Sequence, residues 1–82
     1  MTTASEVAAA LERGRQAAEL TQDELWARYW QAGGRAKRSA VLSYLRGNTE
    51  PQVSQYNLLA ETINEALAEV GEDPMMPILE FD

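Results

Sequence analysis

From Val53 to Val70 the apolar residues Val53, Tyr56, Leu59, Ile63, Leu67 and Val70 step along the chain by three or four positions. That spacing puts them on one side of an α-helix, and so long a stripe has to be covered by other apolar surface. A long amphipathic helix, or two helices meeting at a bend, is expected here. Gly71 ends it, and Ser54 is a candidate cap near its start.

Three shorter stretches carry the same period. Thr3-Ala4-Ser5-Glu6 and Thr21-Gln22-Asp23-Glu24 are Thr-x-x-Glu capping boxes, each followed by apolar residues at helical spacing. Helix 1 is expected from about Ala4 to Glu19, with Val7, Leu11 and Ala18 on its stripe. Gly14 inside it costs about 1 kcal/mol relative to alanine, so either the site is crowded, the favoured reading, or the helix tolerates the loss. Helix 2 starts at the second box and runs to Gly33-Gly34, with Leu25, Tyr29 and Ala32 on one face and Trp26 and Trp30 beside them. These three aromatics read as core, the alternative being that one anchors a partner.

Helix 3 is expected from about Ala36 to Arg46, with Lys37 or Ser39 at its start and Val41, Tyr44 and Leu45 facing inward. Gly47 suits a left-handed stop, and Pro51 keeps the chain from resuming a helix at once. The reading is an all-α fold, a small bundle of four to five helices over residues 1–70. The last stretch, EDPMMPILEFD within residues 71–82, is too short for another helix and too apolar for a plain solvated tail. It is expected either to lie across the domain as an extended arm or to pair with a second subunit.

Charge divides the chain. The net charge is −6, which argues against a phosphate-bearing partner until its distribution is considered. All seven basic residues lie in the first 46 positions, while positions 47–82 hold eight acids and no base. The stretch Arg35–Pro51 alone carries Arg35, Lys37, Arg38 and Arg46, with no acid before Glu50. Lys37, Arg38, Ser39 and Ser43 fall outside the apolar side of helix 3, so one short helix buries one face and offers a cationic, hydroxyl-bearing other. A helix of that size, charge and abrupt ending can enter the DNA major groove. The alternative for Arg35, Lys37 and Arg38 is an ordinary solvated charge cluster.

Catalysis is not expected. The chain has no histidine, no cysteine and no glycine-rich phosphate loop, so the commonest general base and the soft metal ligands are missing. No cofactor and no small-molecule ligand are expected. No apolar run reaches the roughly 20 residues of a membrane span, and MTTASEVAAALERGR lacks the basic start of a secretory signal. A cytoplasmic location follows as the expectation.

From Leu11 to about Leu67 the order of signals resembles the Cro/repressor-type helix-turn-helix (XRE-like) family of phage and bacterial transcriptional regulators. The resemblance is carried by Leu11 and Arg15 in helix 1, by LTQDEL at Leu20–Leu25, and by VLSYLRGNTEP, which matches the family's recognition-helix end, glycine and following proline. It implies a lambda-repressor-like DNA-binding domain, a repressor acting on double-stranded DNA in a bacterial cell or phage-infected host. Helix 3 would read the major groove. Gln22 would hydrogen-bond a phosphate, and Lys37, Arg38, Ser39 and Ser43 would face the DNA, with Arg38 the candidate for bidentate contact with guanine. Arg46, Asn48 and Thr49 would meet the backbone. A homodimer through the C-terminal arm or helix 4 would supply a second half-site.

Three features depart from the family pattern. Trp26 stands where a small residue usually follows the leucine of the LTQDEL-type motif, and RYWQAGGRAK lengthens the path to helix 3. Leu45 occupies the position of the glutamate that often pairs with the helix 1 arginine, so Arg15 needs another partner. The competing reading keeps the fold but makes it a protein-binding module, an antitoxin, anti-repressor or host-factor binder. It would use the acidic C-terminal half with Met75, Met76, Ile78, Leu79 and Phe81.

Overall fold

The computed structural model describes residues 3–79, so Phe81 of the expected contact surface lies outside the described residues. Within them the chain forms four helices and no strand: α1 Ala4–Ala17, α2 Gln22–Gln31, α3 Arg38–Arg46 and α4 Val53–Glu69. No helix among the described residues is long and apolar enough to cross a membrane.

The helix starts follow the capping chemistry. The Thr3 hydroxyl accepts from the Glu6 N–H at 3.1 Å. At Thr21 the box closes in both directions, with Glu24 N–H donating to Thr21 Oγ1 at 3.0 Å and Thr21 N–H donating to Glu24 Oε1 at 2.8 Å. The return bond to the Thr21 backbone holds the Glu24 carboxyl below its usual range. Helices α3 and α4 begin without a side-chain cap, on Lys37 and Gln52. Ser54 is therefore not the cap of α4: the chain enters that helix at the extended Gln52, which puts Ser54 inside the first turn.

All four helices end in the same way. Glu19, Gly33, Gly47 and Gly71 take left-handed backbone conformations. The next residue's N–H then returns to a carbonyl five positions back, Leu20 to Arg15 (3.1 Å), Gly34 to Tyr29 (2.9 Å), Asn48 to Ser43 (3.0 Å) and Glu72 to Leu67 (2.9 Å). This is the Schellman closure, which satisfies carbonyls the helix leaves open. It stops α1 at Ala17 instead of the expected Glu19, because Glu19 with φ 59° has already left the helical region. Glu19 is the non-glycine among these four, and a Cβ in that region is strained. Glu19→Gly is expected to stabilise the fold by about 1 kcal/mol, seen as a rise of about 4–8 °C in the thermal midpoint.

Leu11, Leu25, Tyr29, Val41, Leu59, Ile63 and Leu67 are the large fully buried side chains, and every helix supplies at least one. Helix α1 packs on α3 and α4, while α2 packs on α4 and α3. Four expected core positions move outward: Trp30 is 50% exposed, Val70 40% and Val53 39%, and Ala32 is exposed as well. The buried face of α2 is centred on Leu25 and Tyr29, and Trp30 lies one residue, about 100°, off that line. Val70 is the cap residue after α4 and no longer follows the helical stripe. In α3, Leu42 joins Val41 and Leu45 in the core, whereas Tyr44 is half-buried. At Gly14 a Cβ would stand 2.8 Å from Met76 Sδ and 2.9 Å from Ile63 Cγ2, so this glycine gives α4 and the C-terminal segment room to approach α1.

The segment after α4 folds back along it. Asn64 Nδ2 donates to Met76 O at 2.9 Å, and its Oδ1 accepts from Met75 N–H (3.2 Å) and Met76 N–H (3.0 Å). Asn57 repeats the arrangement, donating to Leu79 O and accepting from Leu79 N–H, both at 2.8 Å. Tyr56 donates its hydroxyl proton to Pro77 O at 3.0 Å. The register is geometric. Seven helical residues rise about 10.5 Å and three extended residues span about 10 Å, so asparagines seven apart meet residues three apart on an extended segment running antiparallel. Met76 is thereby buried, while Met75, Ile78 and Leu79 face outward.

Candidate functional site

The stretch singled out by its charge, residues 35–49, is positioned by the aromatics of α2. Tyr29 is fully buried, and its hydroxyl accepts from Arg35 N–H at 3.1 Å and Ala36 N–H at 2.8 Å while donating to Gln55 Oε1. Gly34 lies directly over the phenol ring, with no room there for a Cβ. Trp26 donates its indole N–H to Ala36 O at 3.2 Å and stacks obliquely on Trp30, centroids 5.5 Å apart. The longer turn and the tryptophan thus belong to one construction: α2 holds both the N–H and the C=O of Ala36. This also corrects the start of helix 3. With Ala36 tied to Tyr29 and Trp26, the helix begins at Arg38, two residues later than expected.

From that anchor α3 turns its apolar side inward and leaves Lys37, Arg38, Ser39 and Arg46 exposed, with Arg35 exposed in the turn before it. Asn48 and Thr49 are exposed in the turn after it. Ser43 is half-buried, and its hydroxyl is 2.8 Å from the Thr49 hydroxyl, which joins the helix to that turn. Gln22 sits apart from these eight, in the first turn of α2, where its side-chain amide donates to Glu12 Oε1 at 3.1 Å. The two first turns are linked by Arg38, whose Nε donates to Asp23 Oδ1 at 2.6 Å.

Electrostatics narrow the cationic surface. Arg28, which also lies in the acid-free run between Glu24 and Glu50, forms a two-pronged pair with Glu69 of α4, both contacts 2.8 Å. That hydrogen bonding raises the Arg28 pKa and lowers that of Glu69. Arg15 finds the partner that Leu45 does not provide: it pairs with Glu12 and donates to Leu20 O at 2.7 Å. Arg35, Lys37 and Arg46 make no ion pair with other described residues. The first turn of α3 contains no acid and has no side-chain cap. The partial positive charge of its open amides therefore coincides with Lys37 and Arg38.

A second surface lies on the acidic side. An open groove is lined by Val7, Ala10, Arg13, Val53, Tyr56 and Leu79, where α1, the start of α4 and the returning segment meet. Among the described residues there is no group of three or more carboxylates that could hold a metal ion. Sequence reasoning missed Asp23, Tyr29 and Gln55 as supports of the site. The available signal was the Gly-Gly pair four and five residues after a core tyrosine, which marks a backbone brought close to a ring. No protein-family model, no curated protein and no solved structure matches this chain.

Proposed function

We propose that the protein is a sequence-specific double-stranded DNA-binding regulator of transcription, with α3 as the helix that enters the major groove. The observation that carries this reading is the outer side of residues 35–49: exposed Arg35, Lys37, Arg38, Ser39 and Arg46, with no acid before Glu50. A helix with its side chains is about 10–12 Å across, and a major groove about 12 Å wide admits it. The uncapped, acid-free helix start adds to the potential that attracts phosphate. Helix α2 and its turn form the other half of a helix-turn-helix, with Gln22 at the end that would meet the DNA backbone.

In this reading Arg38 reads guanine, Ser39 and Ser43 read less selectively, and Arg46, Asn48 and Thr49 fix the register on the backbone. Few base edges are within reach of one such module, so tight binding calls for extra backbone contacts from a single copy or for two copies on paired half-sites. The exposed side of the C-terminal arm, or α4, would join them. The net charge of −6 disfavours loose binding to any duplex.

One observation favours a second reading, a protein-binding module. Val53 and Leu79 are exposed at the open groove, and Met75 and Ile78 are exposed on the same returning segment as Leu79, on the half of the chain that carries no base. Selection of bound sequences from a random duplex library separates the two. DNA binding predicts enrichment of one motif, with a log-log salt slope of about −3 to −6 for a handful of neutralised phosphates. No enrichment, and no retention on heparin at low salt, would favour the protein-binding module.

A further inference from the structure

We infer that Asp23 is a positioning residue for sequence readout, holding the Arg38 guanidinium so that its terminal fork faces outward. The inference rests on the DNA-binding reading above and adds to it a residue on the other helix of the pair. The contact is made by one nitrogen only. Nε of Arg38 donates to Asp23 Oδ1 at 2.6 Å, and neither terminal nitrogen of that guanidinium makes a hydrogen bond among the described residues. A guanidinium held through Nε keeps Nη1 and Nη2 as a parallel pair of donors, the geometry that suits the O6 and N7 acceptors of guanine.

The anchor is itself placed by the fold. Asp23 stands in the first turn of α2, between Gln22, held by Glu12, and Glu24, locked in the Thr21 capping box. Arg38 opens α3, and the turn before it is tied to α2 by Tyr29 and Trp26. Both ends of the contact thus sit on backbone that is already fixed, and less side-chain freedom remains to be lost when a base is bound. The carboxylate also has a cost on DNA, since it adds negative charge beside the residue that approaches the duplex. Its two effects have opposite signs. It weakens attraction to phosphate in general and sharpens the preference carried by Arg38.

This sign difference is the test. Wild type, Asp23→Ala, Asp23→Asn and Arg38→Ala are compared on the duplex selected by the wild-type protein and on single-base variants of it, with a thermal melt of each protein. Arg38→Ala identifies the base pair whose preference it relaxes. At that base pair Asp23→Ala and Asp23→Asn are expected to lose about three- to fivefold of the discrimination, while their affinity for unrelated duplex at low salt rises. A merely structural role would weaken selected and unrelated duplex alike, in step with the loss of stability, and would overturn the inference. Unchanged discrimination in both Asp23 variants would also overturn it and leave the DNA-binding reading standing. A wild-type protein that prefers no sequence at all would remove both.

Discussion

Gly34→Ala is expected to destabilise the fold by about 2–3 kcal/mol, lowering the thermal midpoint by more than about 10 °C. The reason is space. The added Cβ would collide with Cζ, Cε1 and Cε2 of Tyr29, which is fully buried. Moving the ring also breaks the set of hydrogen bonds its hydroxyl makes to Arg35 N–H, Ala36 N–H and Gln55. Tyr29→Phe isolates this second part: it keeps the ring, strands those partners and is expected to cost about 1–3 kcal/mol. Thermal melts of the two variants test the account of the turn. A Gly34→Ala protein as stable as wild type would show that Tyr29 does not fix the start of α3.

The double variant Asn57→Ala, Asn64→Ala is expected to release the C-terminal segment while α1 to α3 stay folded. Five hydrogen bonds from the two side chains hold residues 75–79 against α4. At about 1 kcal/mol each, and with Asn64 Oδ1 shared between two donors, the loss comes to about 2–4 kcal/mol. Met76 would leave the notch over Gly14 and Ile63, opening the core on that side. Amide exchange reads this directly. The N–H groups of Met76 and Leu79 should lose their protection, with little change at Leu25 or Val41. Unchanged protection at Met76 and Leu79 would mean that burial of the methionine alone holds the segment.

These two sites mark where sequence reasoning succeeds and where it stops. Helix starts at Thr3 and Thr21 are local chemistry, a hydroxyl three residues ahead of an acid, and they are visible in four letters. The core stripe of α4 is visible for the same reason, since Tyr56, Leu59, Ile63 and Leu67 declare one face by spacing alone. The start of α3 is different. It depends on the hydroxyl of a tyrosine in another helix claiming the Ala36 amide, and no window around Ala36 contains that fact. The asparagines at 57 and 64 look like solvent-facing residues until the returning chain gives their amides backbone partners. Glu19 in a left-handed conformation breaks the rule that glycine marks the stop, so α1 reads two residues too long.

At the candidate site, the cationic face of α3 was legible from composition and period, because Arg35, Lys37, Arg38, Ser39 and Arg46 are exposed as expected. Ionic partners were not. Arg28 lies in the acid-free stretch of the sequence, yet Glu69, far along the chain, takes it out of the cationic surface. Asp23, an acid in the first turn of α2, is also the partner of Arg38. Pairings between helices are decided by packing, and sequence distance hides them.

The most direct test of the central claim is residue-resolved amide NMR of the protein titrated with the duplex selected from a random library. Shifts largest at Gln22 and along residues 35–49, with smaller ones on α4 or residues 75–79 only where two copies meet, are the predicted result. Shifts confined to α4 and residues 75–79, or none up to saturating duplex at low salt, would contradict the assignment of α3 as the DNA-reading helix.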